Sequence, residues 1–222
     1  MKLTITYDNE AEEGFISGWG FSCLIETDDN TILFDTGWDG AVLLHNLRKL
    51  NIILQKIDTV VISHQHWDHL GGLSVLLNMN PDVKVYVPKS FSKQLKDEIS
   101  ARAGLVEIDQ AQKIANCVYT TGELGDKIKE QSLVVGLSDS LFIITGCSHP
   151  GLAAIMKAAS GFGDVSGLIG GLHDSKEYGM LEGLDLIASC HCTKYKDEIA
   201  RRFGDVFRSV GVGWSYTYGT FT

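Results

Sequence analysis

No apolar run in this sequence approaches the ~20 residues that a helix needs to cross a bilayer. The start, Met1-Lys2-Leu3-Thr4-Ile5-Thr6-Tyr7-Asp8, alternates like a strand. It lacks the apolar core and small-residue cleavage site of a secretory signal. Cysteine is sparse and odd in number: five in 222 residues, at positions 23, 117, 147, 190 and 192. An odd count without a signal predicts reduced thiols in a cytoplasmic protein. Basic residues are also short, with 19 Lys+Arg against 28 Asp+Glu and a net charge of −9. Nucleic-acid binders present a basic face, so the balance argues against a nucleic-acid partner, although a local basic patch can coexist with an acidic total. A P-loop, a GxSxG nucleophile elbow and a GxGxxG dinucleotide fingerprint are all missing. No low-complexity segment or linker interrupts the chain.

What is present fits a globular chain with one large α/β core, a single domain over 1–222. Strands are expected at 3–7, 21–25, 31–34, 58–63, 83–87, 131–135, 141–145, 164–169, 186–190 and 206–212. Helices are expected at 39–50, from about 70, at 91–103, 152–160 and 194–203. The segment 8–20 reads as a loose acidic loop. Thr31-Ile-Leu-Phe-Asp-Thr-Gly37 is similar to Ser140-Leu-Phe-Ile-Ile-Thr-Gly146, one early in each half. This internal echo suggests two β-rich halves whose sheets pack face to face under outer helices.

The chemistry concentrates in Ser63-His64-Gln65-His66-Trp67-Asp68-His69-Leu70-Gly71-Gly72, which follows a buried strand. Alternate residues leaving a strand project to one side, so His64 and His66 can bind one ion together. A turn then brings Asp68 and His69 to a second ion. Imidazole and carboxylate suit zinc-type metals at about 2.0–2.2 Å. Two ions ~3.5–4 Å apart can share a water and clamp a displacement.

The HQHWDH motif resembles the metal-binding signature of the metallo-β-lactamase superfamily, and Leu33-Phe-Asp-Thr-Gly37 is similar to its early strand ending in Asp-x-Gly. Thr145-Gly-Cys-Ser-His-Pro-Gly151, Gly170-Gly-Leu-His173 and Cys190-His-Cys-Thr193 resemble the branch of dihydropterin-aminobenzene-phosphate synthase-like proteins. The resemblance implies an α/β (α+β) fold, a four-layer αββα sandwich of two mixed β-sheets flanked by helices. It implies His64, His66 and His149 on the first metal, and Asp68, His69 and His191 on the second. Two divalent ions follow, zinc first, with manganese or iron as alternatives. The superfamily's usual bridging aspartate has no counterpart here, which leaves three alternatives: His149 takes that role, Cys147 ligates, or the second site is weaker.

Among weaker candidates, Asp35 ends an apolar strand and is read as orienting a ligand histidine, with a turn-forming role as the alternative. His173 is read as contacting substrate or donating a proton, with a metal ligand or a plain loop histidine as the alternatives, and Asp68 as the second catalytic group. His45 is read as structural. Cys190 and Cys192 project opposite to His191 on a strand, so all three cannot meet one ion without a bend. Trp67 is expected near the metals. Lys194 is either solvated or a counter-charge to substrate. The tail 214–221 is aromatic. The function expected is hydrolysis of a small ester-like molecule, a phosphoester or phosphodiester before others. The alternatives are an iron-dependent redox enzyme and a non-catalytic metal sensor.

Overall fold

The computed structural model describes residues 1–137 and 140–217; the end of the aromatic tail, from 218, lies outside the described residues. The elements in chain order are β1 (Lys2–Tyr7), β2 (Ser22–Glu26), β3 (Thr31–Phe34), α1 (Gly40–Lys49), β4 (Thr59–Val61), α2 (Trp67–Leu70), α3 (Leu73–Met79), β5 (Lys84–Pro88), α4 (Lys93–Ser100) and β6 (Gly104–Ile108). There follow β7 (Gln110–Ala115), β8 (Val118–Gly122), β9 (Leu133–Leu137), β10 (Ser140–Thr145), α5 (Leu152–Ala159), β11 (Val165–Gly171), β12 (Leu186–Cys190), α6 (Lys196–Arg202) and β13 (Ser215–Thr217). Two compact units share them: residues 1–109 with 211–222, and residues 110–210.

The first unit holds a seven-stranded sheet in the order β13-β1-β2-β3-β4-β5-β6. Pairing is antiparallel up to β2–β3 and parallel from β3–β4 onward. Its core joins Leu24, Leu33, Val60 and Val85 of the sheet, and Ile62 just past β4, to Leu43, Leu47, Leu73 and Leu76 of the helices, all buried. Burying each such side chain contributes about 1.5–3 kcal/mol. Helix α1 starts where the Asp39 carboxylate accepts hydrogen bonds from the Ala41 and Val42 amides. It ends on Arg48 and Lys49, which suit the negative end of its dipole.

The second unit holds a six-stranded sheet in the order β12-β11-β10-β9-β8-β7. Here β10 is parallel to β11 and antiparallel to β9. Val134, Ile143, Leu168 and Ile187 of the strands bury against Leu152, Ile155 and Ile199 of the helices. The expected class, two mixed sheets flanked by helices, is borne out. Among the described residues no helix is long and apolar enough to cross a membrane, and no disulfide links the cysteines.

Several local expectations need correction. The span 206–212 forms no strand; it makes isolated bridges at Phe207 and Val212, and β13 lies beyond it. Helix α4 is shorter than 91–103, because Gly104 already opens β6. The hairpin of β7 and β8 was not expected, since β7 is polar and mostly exposed at a sheet edge. The segment 8–20 is pinned rather than loose. Buried Asn46 donates to the Thr6 and Ile16 carbonyls and accepts from the Ile16 amide, and Asn9 accepts from the Gly20 amide.

Candidate functional site

In the first unit the histidine loop leaves β4, and α2 begins at its third residue after His64. Asp35, just past β3, has a left-handed backbone with φ 57° and a fully buried side chain. Such a conformation is strained for a non-glycine residue and persists only where the surroundings fix it. Its Oδ1 accepts from the Ser63 amide at 2.7 Å. Its Oδ2 accepts from Ser63 Oγ at 2.7 Å and faces His69 Nδ1 at 2.7 Å. A carboxylate accepts only, so His69 carries its proton on Nδ1 and presents Nε2 as the lone-pair nitrogen. The expected contact between Asp35 and a histidine is present.

Ser63 Oγ also lies 2.8 Å from His64 Nδ1, which turns His64 Nε2 toward His66 Nδ1 at 3.0 Å. Two imidazole nitrogens on one ion, each about 2.1 Å away, stand roughly 3–3.4 Å apart. The pair therefore fits a shared divalent ion. Asp68 Oδ2 lies 3.9 Å from His69 Nε2, a carboxylate and an imidazole within reach of one metal. His64, His66, Asp68 and His69 are thus brought together in this unit. Trp67 is exposed, as are Trp19 and Trp38. Gly72 is required by close approach: a Cβ there would meet the Thr36 carbonyl oxygen. His45 stands exposed on α1.

In the second unit the loop after β10 carries Cys147, Ser148 and His149. It closes around a residue that no motif marks. Glu130 is fully buried, and its Oε1 accepts from Thr145 Oγ1 and from the amides of Gly146, Cys147 and Ser148 at 2.9–3.1 Å. Its Oε2 accepts from the His149 amide at 2.9 Å. One carboxylate therefore holds the backbone that presents His149. In sequence Glu130 sits among Lys127, Lys129 and Gln131, where it resembles a solvated charge, and no spacing marks it.

The loops after β11 and β12 carry His173 and His191, both left-handed with φ 47° and 49°. The His173 ring lies 5.1 Å from that of His149. Both border a cavity of about 230 Å³, with Lys176 and Glu177 on its rim. His173 Nδ1 faces Asp174 Oδ1 at 3.2 Å, and that imidazole holds the Asp174 carboxyl below the usual carboxylate range. Lys176 and Lys194 place their ammonium groups over the Tyr195 ring, at 4.6 and 5.5 Å from its centre. Lys194 is exposed, and its amide donates to the His173 carbonyl at 2.8 Å. The backbone turn at His191 supplies the bend that strand alternation lacks. It brings Cys192, not Cys190, together with His191 and Cys147. Cys190 stays buried. Cys23, wholly buried, has its thiol pushed up to about 12 by desolvation.

Comparison with known proteins gives this pattern a family. The metallo-beta-lactamase superfamily matches residues 20–150, more than half of the chain. The 7,8-dihydropterin-6-methyl-4-(β-D-ribofuranosyl)-aminobenzene-5'-phosphate synthase of Methanocaldococcus jannaschii is 28% identical, over 83% of this chain and 84% of its own length. A solved structure described as a metal-dependent hydrolase of the β-lactamase superfamily, Tm1679, superposes with a TM-score of 0.82 at 24% identity, covering 99% of this chain and 100% of that one. A diphosphatase of the PhnP family superposes with a TM-score of 0.65 at 14% identity, covering 98% of each.

Proposed function

The chain belongs to the metallo-β-lactamase superfamily, and on that premise we propose that it is a metal-dependent hydrolase of small ester-like molecules, phosphoesters or phosphodiesters first. The proposed ligands are His64, His66 and His149 for one divalent ion, and Asp68, His69 and His191 for a second, with zinc ahead of manganese or iron. The working unit is the whole chain, residues 1–222, in a reducing compartment such as the cytoplasm. The partner is a small molecule, not a nucleic acid or a membrane.

The observation that carries this reading is the wiring of Asp35. Its carboxylate sets the His69 tautomer at 2.7 Å and, through Ser63, orients His64. Outer partners of this kind are what metal-binding imidazoles require. A bound divalent ion lowers the pKa of water and stabilises negative charge developing on oxygen. Asp68, partly buried beside His69, holds its carboxylate ready to accept a hydrogen bond from the attacking water. His173, half-exposed and paired with Asp174, gives a proton from Nε2 to the leaving oxygen while Asp174 steadies the imidazolium.

The preference for phosphate draws support from three sides. Lys176 lines the cavity beside His149 and His173. The archaeal relative's name contains a phosphate, and one fold neighbour is called a diphosphatase. The test is to load the full chain separately with Zn²⁺, Mn²⁺ and Fe²⁺ and to assay phosphomonoesters, phosphodiesters, lactones and thioesters. Metal-dependent phosphoester turnover, reduced by His173→Ala mainly in kcat, is the expected result. Turnover confined to iron with an electron acceptor would replace it with redox chemistry. Full loading without turnover on any substrate would leave a metal sensor.

A further inference from the structure

Three donor atoms in the second unit stand together that the hydrolase reading does not use as a set. Cys147 Sγ and Cys192 Sγ lie 3.3 Å apart. A ring nitrogen of His191 and both sulfurs all fall within 4.8 Å of one another. Three separate features of the fold place them there. Glu130 fixes the Cys147 amide at 2.9 Å. The left-handed turn at His191 swings Cys192 out of strand alternation. Gly171 leaves room for sulfur, since a Cβ there would lie 2.7 Å from Cys192 Sγ. The other buried thiols stand outside this group: Cys23 turns its sulfur toward the Leu24 carbonyl, and Cys190 is buried on β12.

We infer that Cys147, His191 and Cys192 form a thiolate–imidazole set that takes a thiophilic ion, such as Zn²⁺ or Cd²⁺, in preference to a hard one such as Mn²⁺. Two sulfurs each about 2.3 Å from one ion can stand no more than roughly 4.6 Å apart, and a nitrogen at about 2.1 Å completes three ligands. The spacing in this unit satisfies that limit. Thiolate donors favour soft and borderline ions, whereas carboxylate-rich sets accept Mn²⁺ readily. Both thiols must lose their protons on binding, so loading releases protons. The inference rests on the proposed function in one respect, that His191 is a metal ligand. It adds that this chain's second ion is held by sulfur as well.

The experiment titrates the full chain with Cd²⁺, Co²⁺ and Mn²⁺ under anaerobic conditions with a non-thiol reductant. Thiolate-to-metal charge-transfer absorption and ion affinity are read, with folding checked by circular dichroism. Cys147→Ser, Cys192→Ser and Cys192→Ala are compared with wild type, the alanine serving if the serine misfolds. Expected are a charge-transfer band in wild type, its loss in each cysteine variant, and a fall in Cd²⁺ affinity of at least about tenfold. Mn²⁺ affinity should change little. Ions that bind without the band, or a band that survives Cys192 substitution, would overturn this inference and leave the histidine site standing. So would a persistent Cys147–Cys192 disulfide, seen as the loss of two hydrogens in intact mass. Failure to bind any of the three ions would overturn both readings.

Discussion

The two units repeat one plan and use their buried carboxylates differently. In each, a strand that leads into a Thr-Gly pair marks the change from antiparallel to parallel pairing: β3 in the first unit and β10 in the second. In each, a later glycine donates its amide to the carbonyl of the glycine in that pair, Gly72 to Gly37 at 3.3 Å and Gly171, which ends β11, to Gly146 at 3.1 Å. The carboxylate then separates them. In the first unit Asp35 follows β3 directly and grips the hydroxyl and amide of Ser63 and the ring of His69. The matching position in the second echo is Ile144, so the acid comes from elsewhere. Glu130 arrives ahead of β9 and grips four backbone amides. One acid tunes imidazoles, and the other shapes a loop.

That contrast can be broken by substitution. The largest effect is expected from His64→Ala with His66→Ala, which removes the first unit's paired nitrogens. Metal-dependent hydrolysis should fall at least about a thousandfold, measured as kcat/KM on a phosphoester. Next comes the direct comparison of the acids. Asp35→Asn should lower metal affinity by roughly 10–100-fold, read by competition with a chromophoric chelator. Glu130→Gln should instead lower stability by about 2–3 kcal/mol, because an amide NH₂ then faces backbone donors. For a chain of this size that is roughly 4–12 °C in Tm of the metal-free protein. If Glu130→Gln weakens metal binding more than Asp35→Asn does, the division of labour is wrong.

Smaller effects sharpen the same picture. Gly72→Ala and Gly171→Ala should each cost about 1–3 kcal/mol by overpacking, seen in denaturant midpoints. Only Gly171→Ala should also weaken Cd²⁺ binding, since its methyl presses on Cys192. The smallest effect concerns Cys23. Its thiol, ordinarily near 9.0, is pushed up to about 12 because burial penalises the thiolate. Its contribution is whole below pH 9 and is lost as pH rises toward 12. Cys23→Ala should flatten that part of a stability–pH profile and leave the rest unchanged.

Much of the first unit was legible in sequence because its signals are local. His64, His66, Asp68 and His69 lie within one loop, and Asp35 ends an apolar run whose fate as a strand is plain. The second unit was harder to read. Glu130 gains its role from residues 15 to 19 positions away, and a charged residue preceded by two nearby lysines carries no mark of burial. The strand β7 is polar because it lies at an edge, so hydrophobic alternation could not show it. The grouping of Cys192 with His191 depends on one left-handed residue, and period-two reasoning assumes an extended backbone there.

The most direct test of the account is metal content per chain, by elemental mass spectrometry on full-length protein purified without chelators or nickel. About two equivalents of divalent metal, predominantly zinc, are expected. Protein that holds no metal, even after reconstitution with zinc, manganese and iron in turn, would contradict it.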